Sequence, residues 1–414
     1  MTDALDPSSL AENPATPAEA LKGMPFWLRT ISPFLARIQT GLLHLRWIDG
    51  REWTFGAIRP GEEALEATLV VRDPAAIRRA LLGGAVGFAE GYIADEWDSP
   101  DLVALLDLAS RNTSGDRLVR KAGAPKTAVY RARHAARANT RAGSRRNIAE
   151  HYDLGNDFYR LWLDPSMTYS CALFDGSADT LEAAQVRKWD ALLDLIAPQE
   201  GDSLLEIGCG WGGFAMHAAQ TRGVHVTGVT VSREQFDWAR RIVDEVGLSD
   251  CVEIRLQDYR DVTGTFDHVA SIEMFEAVGE RYWPTFFRVL RERLRPGGTA
   301  ALQLITIADG RFENYRRHPD FIQRYVFPGG MLPSPSMFRK VAENAGLSIR
   351  AQNTYGADYA MTLAEWQRRF EHALAEVRAL GFDERFERVW RYYLAYCQAG
   401  FRNNMCDVMQ VVLG

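Results

Sequence analysis

Residues 203–213 read Ser-Leu-Leu-Glu-Ile-Gly-Cys-Gly-Trp-Gly-Gly, and this stretch decides the predicted fold. An apolar run of strand length, 203–207, leads into the pattern G-x-G-x-x-G, which opens a helix. Glycines at such a turn let the backbone approach a ligand closely, and the helix N-terminus favours negative groups on that ligand. We therefore expect a bound ligand here, although a glycine-rich turn without a ligand is the structural alternative.

The next predicted strand argues against a dinucleotide. A dinucleotide site carries an acid about 20 residues after the glycines, where it holds the ribose. Here the corresponding strand ends in Gly228-Val229-Thr230, which contains no acid. NAD is therefore disfavoured as the ligand.

Alternating strands and helices follow residue 147. Apolar runs of strand length lie at 203–207, 224–229, 252–256, 266–272 and 299–305, and two further strands are expected at 347–353 and 408–413. Helical segments such as 232–245 and 281–294 separate them. The pattern predicts an α/β fold, an open, doubly wound sheet of seven strands. A helical insertion at 355–406 would cover the sheet edge where ligands bind.

The first 110 residues read as a separate, small α+β domain. A hairpin is expected from residues 43–48, the turn Asp49-Gly50 and a return strand at 53–55. Another strand is expected at 67–71, and Asp73-Pro74 opens a helix that should run to Leu82. Residues 87–98 are interpreted as partly buried and rich in turns.

Positive charge is concentrated between residues 111 and 146. This segment holds eleven Lys or Arg residues and one Asp, whereas the net charge of the whole chain is −6. A basic helix or linker of this kind suits the anionic lipids of the cytoplasmic leaflet. A solvated interdomain linker is the alternative, and a nucleic-acid site competes as well. Nucleic acid is disfavoured because residues 271–275 lack the Asn-Pro-Pro-Tyr type of base-stacking motif.

Composition favours a cytoplasmic protein of two domains. The chain has 414 residues, 47% of them hydrophobic, and five widely spaced cysteines without CxxC pairs. We expect reduced thiols and no metal site. Residues 1–17 lack a secretory signal pattern, and no apolar run reaches the roughly 18–20 residues that span a bilayer.

Several motifs in order resemble the cyclopropane-fatty-acid synthases, a family of S-adenosylmethionine-dependent methyltransferases. The resemblance is strong over 147–414 and looser over the first domain, where it rests on Glu90-Gly91-Tyr92 and Trp97-Asp98. The motifs that carry it are His151–Asp157, Met167–Ala172, Glu206–Gly210, Gly228–Gln235, Gln257–Asp261, Met274–Glu276 and Phe327–Ser334. It implies a class I methyltransferase (Rossmann-like) fold at 147–414 and a lipid-handling domain at 1–110, and the basic linker or helix inferred from charge at 111–146 lies between them.

The resemblance also implies which residues bind S-adenosylmethionine. These are Tyr169 and Ser170 at the methionine end, Gly208 and Gly210 against the cofactor, Thr230 and Gln235 at the ribose, and Gln257 and Asp258 near the adenine. Amide and carboxylate groups at strand ends pair well with ribose hydroxyls and the adenine amine. Asp258 alone could equally be a helix cap.

Methylation of an alkene requires a dry, aromatic pocket, because the alkene is a poor nucleophile and the resulting cation must be kept from water. Aromatic faces stabilise cations and accommodate an acyl chain. The candidates are Trp211, Phe275, Phe327, Tyr355 and Tyr359, each of which could equally be plain core.

Ring closure needs a base after methyl transfer. The resemblance implies a bound bicarbonate held by Cys171, Glu276 and Tyr359 together with a histidine. Here the family's Leu-His-Thr-Ile reads Leu302-Gln303-Leu304-Ile305, and Phe-Glu-His-Val-Gly reads Phe275–Gly279 with alanine at 277. Gln303 donates a hydrogen bond but cannot titrate. Without the resemblance, Cys171 could be a core thiol and Glu276 a solvated acid at a helix start.

The sequence thus predicts an enzyme that methylates unsaturated acyl chains of membrane phospholipids and forms a cyclopropane fatty acid. The alternative product is a methyl-branched unsaturated or methylene fatty acid, because the histidine is replaced by Gln303. A nonenzymatic protein that binds lipid and S-adenosylmethionine is the rival from another class. We expect peripheral association with the inner face of the membrane and, from the resemblance alone, a homodimer.

Overall fold

The computed structural model describes residues 23–59, 61, 64–113, 139–140, 143, 154–176 and 179–414. Most of the basic segment 111–146 and the motif residues His151–Asp153 lie outside these ranges. The proposed boundaries at residues 110 and 146 stay predictions. In the part of the chain that the structure describes, no helix combines the length and the apolar character needed to span a bilayer.

A seven-stranded sheet forms the centre of the larger unit, in the order β10-β11-β9-β8-β5-β6-β7. Its strands are β5 (Ser203–Ile207), β6 (His225–Thr230), β7 (Val252–Leu256), β8 (Phe266–Ile272), β9 (Leu294–Ile307), β10 (Ile349–Thr354) and β11 (Cys406–Leu413). β11 runs antiparallel to β9 and β10, whereas the pairs among β5 to β9 are parallel. The predicted doubly wound sheet is confirmed, and both its faces are covered by helices.

Helices flank the sheet and close its carboxyl edge. In chain order they are α4 (Asn156–Arg160), α5 (Leu181–Ile196), α6 (Gly213–Arg222), α7 (Arg233–Glu245), α8 (Trp283–Arg293), α9 (Asp309–Arg317), α10 (Phe321–Tyr325) and α11 (Pro335–Asn344). The insertion between β10 and β11 supplies α12 (Gly356–His372), α13 (Leu374–Ala379) and α14 (Glu384–Arg402). The expected helical insertion at 355–406 is therefore present.

β9 is longer than the predicted 299–305. Its partner register on β8 jumps from Phe266–Leu294 to His268–Thr299, so an irregularity precedes the regular ladder. The chain here reads Arg-Pro-Gly-Gly, residues that sequence patterns assign to a turn rather than a strand. The strand begins early because a bulge accommodates these residues.

A smaller sheet of order β2-β1-β3-β4 precedes this unit. It comprises β1 (Gly41–Arg46), β2 (Glu52–Ala57), β3 (Glu66–Val71) and β4 (Trp97–Asp98), with α1 (Phe26–Leu35), α2 (Ala75–Ile93) and α3 (Leu102–Thr113). The predicted hairpin is confirmed, and Gly50 adopts a φ of +85° in its turn.

The helix predicted to end at Leu82 is followed, across a kink at Gly84, by a second helical stretch that runs to Ile93, so the interpretation of 87–93 as rich in turns was wrong. Gly84 interrupts the helix with a φ of 59° and a ψ of −142°, and the chain then resumes helical geometry. A Cβ on Gly87 would lie 2.1 Å from the Arg79 carbonyl oxygen, so glycine there allows the two halves to pack closely. Gly84 thus breaks the helix, as sequence patterns predict of glycine, and the chain resumes helical geometry directly after the kink.

α14 joins the two units. Arg388 Nε donates to the Tyr92 carbonyl oxygen at 2.5 Å, and its Nη2 donates to that of Trp97 at 2.9 Å. Asn403 Nδ2 donates to Asp107 Oδ1 at 2.8 Å. One continuous apolar core includes residues of the small sheet, of α3 and of α12 to α14. The small unit is thereby held against the helices that cover the carboxyl edge of the large sheet.

Candidate active site

A cavity of about 1130 Å³ lies at the carboxyl ends of β5, β6 and β8. All eight residues predicted to bind the cofactor line it, as do Glu276 and Tyr359. Cys171 and Gln303 do not line the cavity; they are buried directly behind its wall. Beyond the sheet the cavity extends to α1 and α2 of the small unit, where Ile31, Leu35, Leu81, Gly84 and Phe88 line it.

The turn after β5 needs its glycines. Gly208 has a φ of +84°, and a Cβ at this position would lie 2.7 Å from Met274 Cγ. Gly210 has a φ of +52° and lines the same wall. Both conformations disfavour other residues, so the backbone itself forms this side of the cavity.

The predicted ribose pair is already assembled. Thr230, the last residue of β6, donates through Oγ1 to Gln235 Oε1 at 2.8 Å, and both side chains are buried. Ser232 caps α7 by accepting from the Gln235 backbone N–H at 3.3 Å, which fixes the first helical turn. A hydroxyl and an amide thus stand side by side in the cavity wall, as hydroxyl recognition requires.

The predicted adenine pair, Gln257 and Asp258, bonds to neighbouring residues rather than to each other. Asp258 accepts from Arg260 Nε at 2.8 Å and Nη2 at 2.6 Å, and this hydrogen bond raises the pKa of Arg260. Gln257 turns its side chain to donate to the Asp261 carbonyl oxygen at 2.7 Å. Both residues line the cavity, and their contact with adenine stays a prediction. Sequence reasoning missed Arg260, which neutralises the acid.

α5 holds the segment that carries Tyr169 and Ser170. Lys188 Nζ donates to Ser170 Oγ at 2.7 Å, and Gln185 Nε2 donates to the Ser170 carbonyl oxygen at 3.0 Å. Both α5 side chains are fully buried, and burial lowers the pKa of Lys188 to about 8. Their spacing of three residues on an apolar helix face was a signal that sequence reasoning missed.

Aromatic side chains form the opposite wall. Tyr169 and Tyr393 share a hydrogen bond of 2.7 Å between their hydroxyl oxygens, and Phe327 stacks near Tyr169 with a centroid distance of 6.3 Å. Of the predicted aromatic residues, Trp211, Phe327 and Tyr359 line the cavity. Phe275 does not: it packs in the core against α8 and α11, where the expected pocket role was wrong. Tyr355 also lies away from the cavity lining, at the start of α12.

Glu273 brings together three of the four predicted catalytic residues. Its Oε1 accepts from the Cys171 backbone N–H and from Gln303 Nε2, both at 2.8 Å, and its Oε2 accepts from the Tyr359 hydroxyl at 3.0 Å. Gln410 Nε2 donates to Gln303 Oε1 at 2.9 Å, which turns the Gln303 amide nitrogen towards the acid. We call Cys171, Gln303 and Tyr359 the cradle of Glu273.

Sequence reasoning missed Glu273, although its position directly after β8 was a signal. Parallel sheets present their ligands at the carboxyl ends of the strands, and an acid there is a candidate functional group. Burial raises the pKa of Glu273, while the hydrogen bonds of the cradle oppose this increase.

The surroundings of Glu276 and of the Cys171 thiol differ from those of Glu273. Glu276 Oε1 accepts from the Ile305 backbone N–H, whereas Oε2 is buried and has no hydrogen-bond partner among the described residues. Burial, reinforced by the charge of Glu273, raises the pKa of Glu276 to about 8. Burial also raises the pKa of the Cys171 thiol, so Cys171 contributes to the cradle through its backbone N–H.

The cradle does not fit the bicarbonate that the resemblance implies. Its backbone N–H, amide and hydroxyl already face the carboxylate of Glu273. A second anion beside this acid would have to displace it from its hydrogen bonds.

Known proteins resemble this chain over most of its length. A family model described as mycolic acid cyclopropane synthetase matches residues 139–411. Tuberculostearic acid methyltransferase UfaA1 of Mycobacterium tuberculosis is 41% identical over 391 residues, which span 92% of this chain and 89% of that protein. Cyclopropane-fatty-acyl-phospholipid synthase of Escherichia coli K12 is 35% identical over 350 residues, which span 84% and 87%.

Two solved structures of cyclopropane synthases resemble this chain as well. Cyclopropane synthase MmaA2 from Mycobacterium tuberculosis covers 65% of this chain and 97% of its own, with 32% identity and a TM-score of 0.61. Mycolic acid cyclopropane synthase CmaA1, complexed with SAH and CTAB, has 31% identity over 65% of this chain and 97% of its own, and a TM-score of 0.61. The chain therefore belongs to the mycolic acid cyclopropane synthetase family and is an S-adenosylmethionine-dependent methyltransferase.

Proposed function

We propose that the protein transfers the methyl group of S-adenosylmethionine to the double bond of an unsaturated acyl chain in a membrane phospholipid. The observation that carries this proposal is the continuity of the cavity, which runs from the glycine turn at 208–210 to α1 and α2. One end offers polar groups suited to the cofactor, and the other end is apolar. A double bond within a long chain could thus reach the methyl group while the rest of the chain stays out of water.

Aromatic rings support cation chemistry at the junction of these two ends. Tyr169, Phe327, Tyr359 and Tyr393 line the cavity there. An aromatic face attracts positive charge, so these rings would stabilise both the sulfonium of the cofactor and the cation formed on the chain. S-adenosylmethionine supplies the electrophilic methyl group when bound, and the protein aligns it and excludes water.

For the product, we propose an open chain with a methylene or methyl branch. The resemblance implies a histidine and a bound bicarbonate for ring closure. Here Gln303 replaces the histidine and the cradle holds Glu273, so we expect the step after methyl transfer to differ as well. A relative of 41% identity is named as a methyltransferase of tuberculostearic acid rather than as a cyclopropane synthase. The cyclopropane product that the sequence favoured is the second candidate, because Cys171, Glu276 and Tyr359 are all present.

The product can be identified with S-adenosylmethionine labelled with ¹³C in its methyl group. Vesicles of dioleoyl phosphatidylglycerol are incubated with the protein, and the esters are examined by NMR. We expect the labelled carbon either in a methylene group double-bonded to the chain or in a methyl branch beside an olefinic proton. Upfield cyclopropyl signals would instead support the ring. If RNA and DNA are offered beside the vesicles, label in nucleic acid but not in lipid would contradict the proposed substrate.

Membrane docking belongs to the same proposal. So does a homodimer, which rests on the family resemblance alone. α1 exposes Phe26 and Trp27, whose side chains suit the interfacial region of a bilayer, and α1 also contributes Ile31 and Leu35 to the cavity. The basic segment 111–146 would supply attraction to anionic lipids on the inner face of the membrane.

A further inference from the structure

Glu273 takes the position that the family resemblance gives to an external anion. We propose that the Glu273 carboxylate is the base of the reaction and accepts the proton that the substrate loses after methyl transfer, so that this enzyme needs no bicarbonate. The proposal rests on the proposed function, because it concerns a step that follows methyl transfer to an alkene.

The geometry of the cradle fixes both carboxylate oxygens. Its donors come from three separate parts of the fold: the segment before α5, the strand β9 and the helix α12. Such convergence costs ordering entropy in each element and orients the acid before the substrate arrives. Glu273 itself lines the cavity, so its carboxylate borders the space where the substrate would lie.

The backbone of Glu273 is a second, independent observation. Its φ is +48°, a left-handed conformation that is rare for glutamate and that concentrates at functional sites. The Glu273 backbone N–H donates to the Gln303 carbonyl oxygen at 2.7 Å, which helps to hold this conformation. The next residue, Met274, packs against Gly208, so the same turn places the acid beside the cofactor wall.

The proposed step balances as follows. The π electrons of the alkene form a bond to the methyl carbon, the electrons of the carbon–sulfur bond stay on sulfur, and the neighbouring chain carbon becomes a cation. A hydride shift moves the positive charge to the branched carbon. Glu273 then accepts a proton from the methyl group, and the carbon–hydrogen bonding pair forms a double bond between the former methyl carbon and the branched chain carbon. Without the hydride shift, the same proton loss would close a ring.

The buried position of Glu273 favours this role. Burial raises the pKa of Glu273, and a base with a raised pKa accepts a proton more readily near neutral pH. The facing groups are Tyr359, Gln303 and the Cys171 backbone on the cradle side, Lys188 behind them and Glu276 on the same loop. Lys188 lowers the pKa of Glu273 and so opposes the effect of burial.

The test combines two substitutions with control of bicarbonate. Glu273→Gln keeps the shape of the side chain and removes the base, whereas Glu273→Gly empties the cradle at a backbone conformation that glycine adopts freely. Glu292→Gln, on the exposed end of α8, serves as the matched control. Methyl transfer to dioleoyl phosphatidylglycerol vesicles is measured in buffer depleted of carbon dioxide and again with added bicarbonate, and S-adenosylmethionine affinity is measured by calorimetry.

We expect the unaltered enzyme and Glu292→Gln to be equally active with and without bicarbonate. Glu273→Gln should lose about 10²–10⁴-fold in kcat, the range for a general base, while its Kd for S-adenosylmethionine changes less than about threefold. Bicarbonate should restore Glu273→Gly by about tenfold or more. An enzyme that requires bicarbonate, or a fully active Glu273→Gln variant, would overturn this inference and leave the proposed function standing. Absence of any label in lipid with the unaltered enzyme would overturn the proposed function and this inference with it.

Discussion

The two acids of the loop after β8 lie three residues apart and have different environments. Glu273 has three hydrogen-bond donors, whereas Glu276 has one donor and a buried oxygen without a partner among the described residues. An ionised carboxylate is stabilised by such donors, and a protonated one tolerates their absence. The hydrogen bonds of the cradle therefore favour the ionised form of Glu273, and we assign the proton to Glu276, whose pKa is raised to about 8.

This assignment predicts how stability depends on pH. Because the folded pKa of Glu276 lies above its unfolded value, its contribution to stability is complete below about pH 4.5 and is lost as the pH rises through about 8. Glu276→Gln removes this titration. The free energy of unfolding of the variant, relative to the unaltered protein, should therefore increase by roughly 1–3 kcal/mol between pH 5 and pH 8. Urea unfolding at several pH values measures it, and a difference that stays constant with pH would contradict the assignment.

Sequence reasoning named Cys171, Gln303 and Tyr359 but not the acid that joins them. The three are distant in the chain, and the resemblance placed them around an ion rather than a side chain. The left-handed backbone of Glu273 is set by its contacts with β9, and no local pattern reports such a contact. Lys188 and Gln185 were missed for a similar reason, because their burial depends on how α5 packs against the sheet.

At the scale of single elements, the turn between β5 and α6 is the most constrained part of the cavity wall. Gly208→Ala should weaken S-adenosylmethionine binding by about tenfold or more, because the new Cβ would lie 2.7 Å from Met274 Cγ and would displace the loop that carries Glu273. Gly247→Ala is a matched control: Gly247 also has a positive φ, of +73°, but a Cβ there meets nothing within 4 Å. Calorimetry on both variants separates the two effects, and equal losses of affinity would show that backbone strain alone is responsible.

Elements were predicted well where local sequence determines them. Most strands of the large sheet are apolar runs between turn residues, and all seven overlap the segments where they were predicted. The first part of α2 ends close to the predicted Leu82, because Gly84 has non-helical φ and ψ, whereas the second helical part, which runs to Ile93, was missed. Apolar periodicity reports that a segment is helical, but not how a glycine bend is compensated by neighbours.

At the scale of the whole molecule, the cavity exists because two units share a core. The contact between Arg388 and Trp97 joins residues 291 positions apart, and contacts of this separation cannot be inferred from sequence patterns. The sequence predicted a lipid-handling unit and a methyltransferase unit, but not that α14 would hold them together. The proposed path of the acyl chain depends on this joint arrangement, since both units line the cavity.

Membrane attraction is a property of the whole molecule as well. Replacing Arg131, Arg133, Arg137 and Arg141 with glutamine should weaken binding to anionic vesicles, and the loss should be largest at low salt, because salt screens charges beyond about 10 Å at 0.1 M. Vesicle sedimentation over a range of salt concentrations measures this. Activity on a detergent-dispersed substrate should decrease less. Equal losses on both substrates would instead indicate a linker that positions the two units.

The central claim is methyl transfer to a carbon–carbon double bond, and one comparison tests it most directly. Methyl-labelled S-adenosylmethionine is incubated with the protein and with vesicles of dioleoyl or distearoyl phosphatidylglycerol, which share a headgroup and chain length and differ in the double bond. The account predicts label in the acyl chains of the dioleoyl lipid only. Equal labelling of both lipids, or label confined to the headgroup, would contradict it.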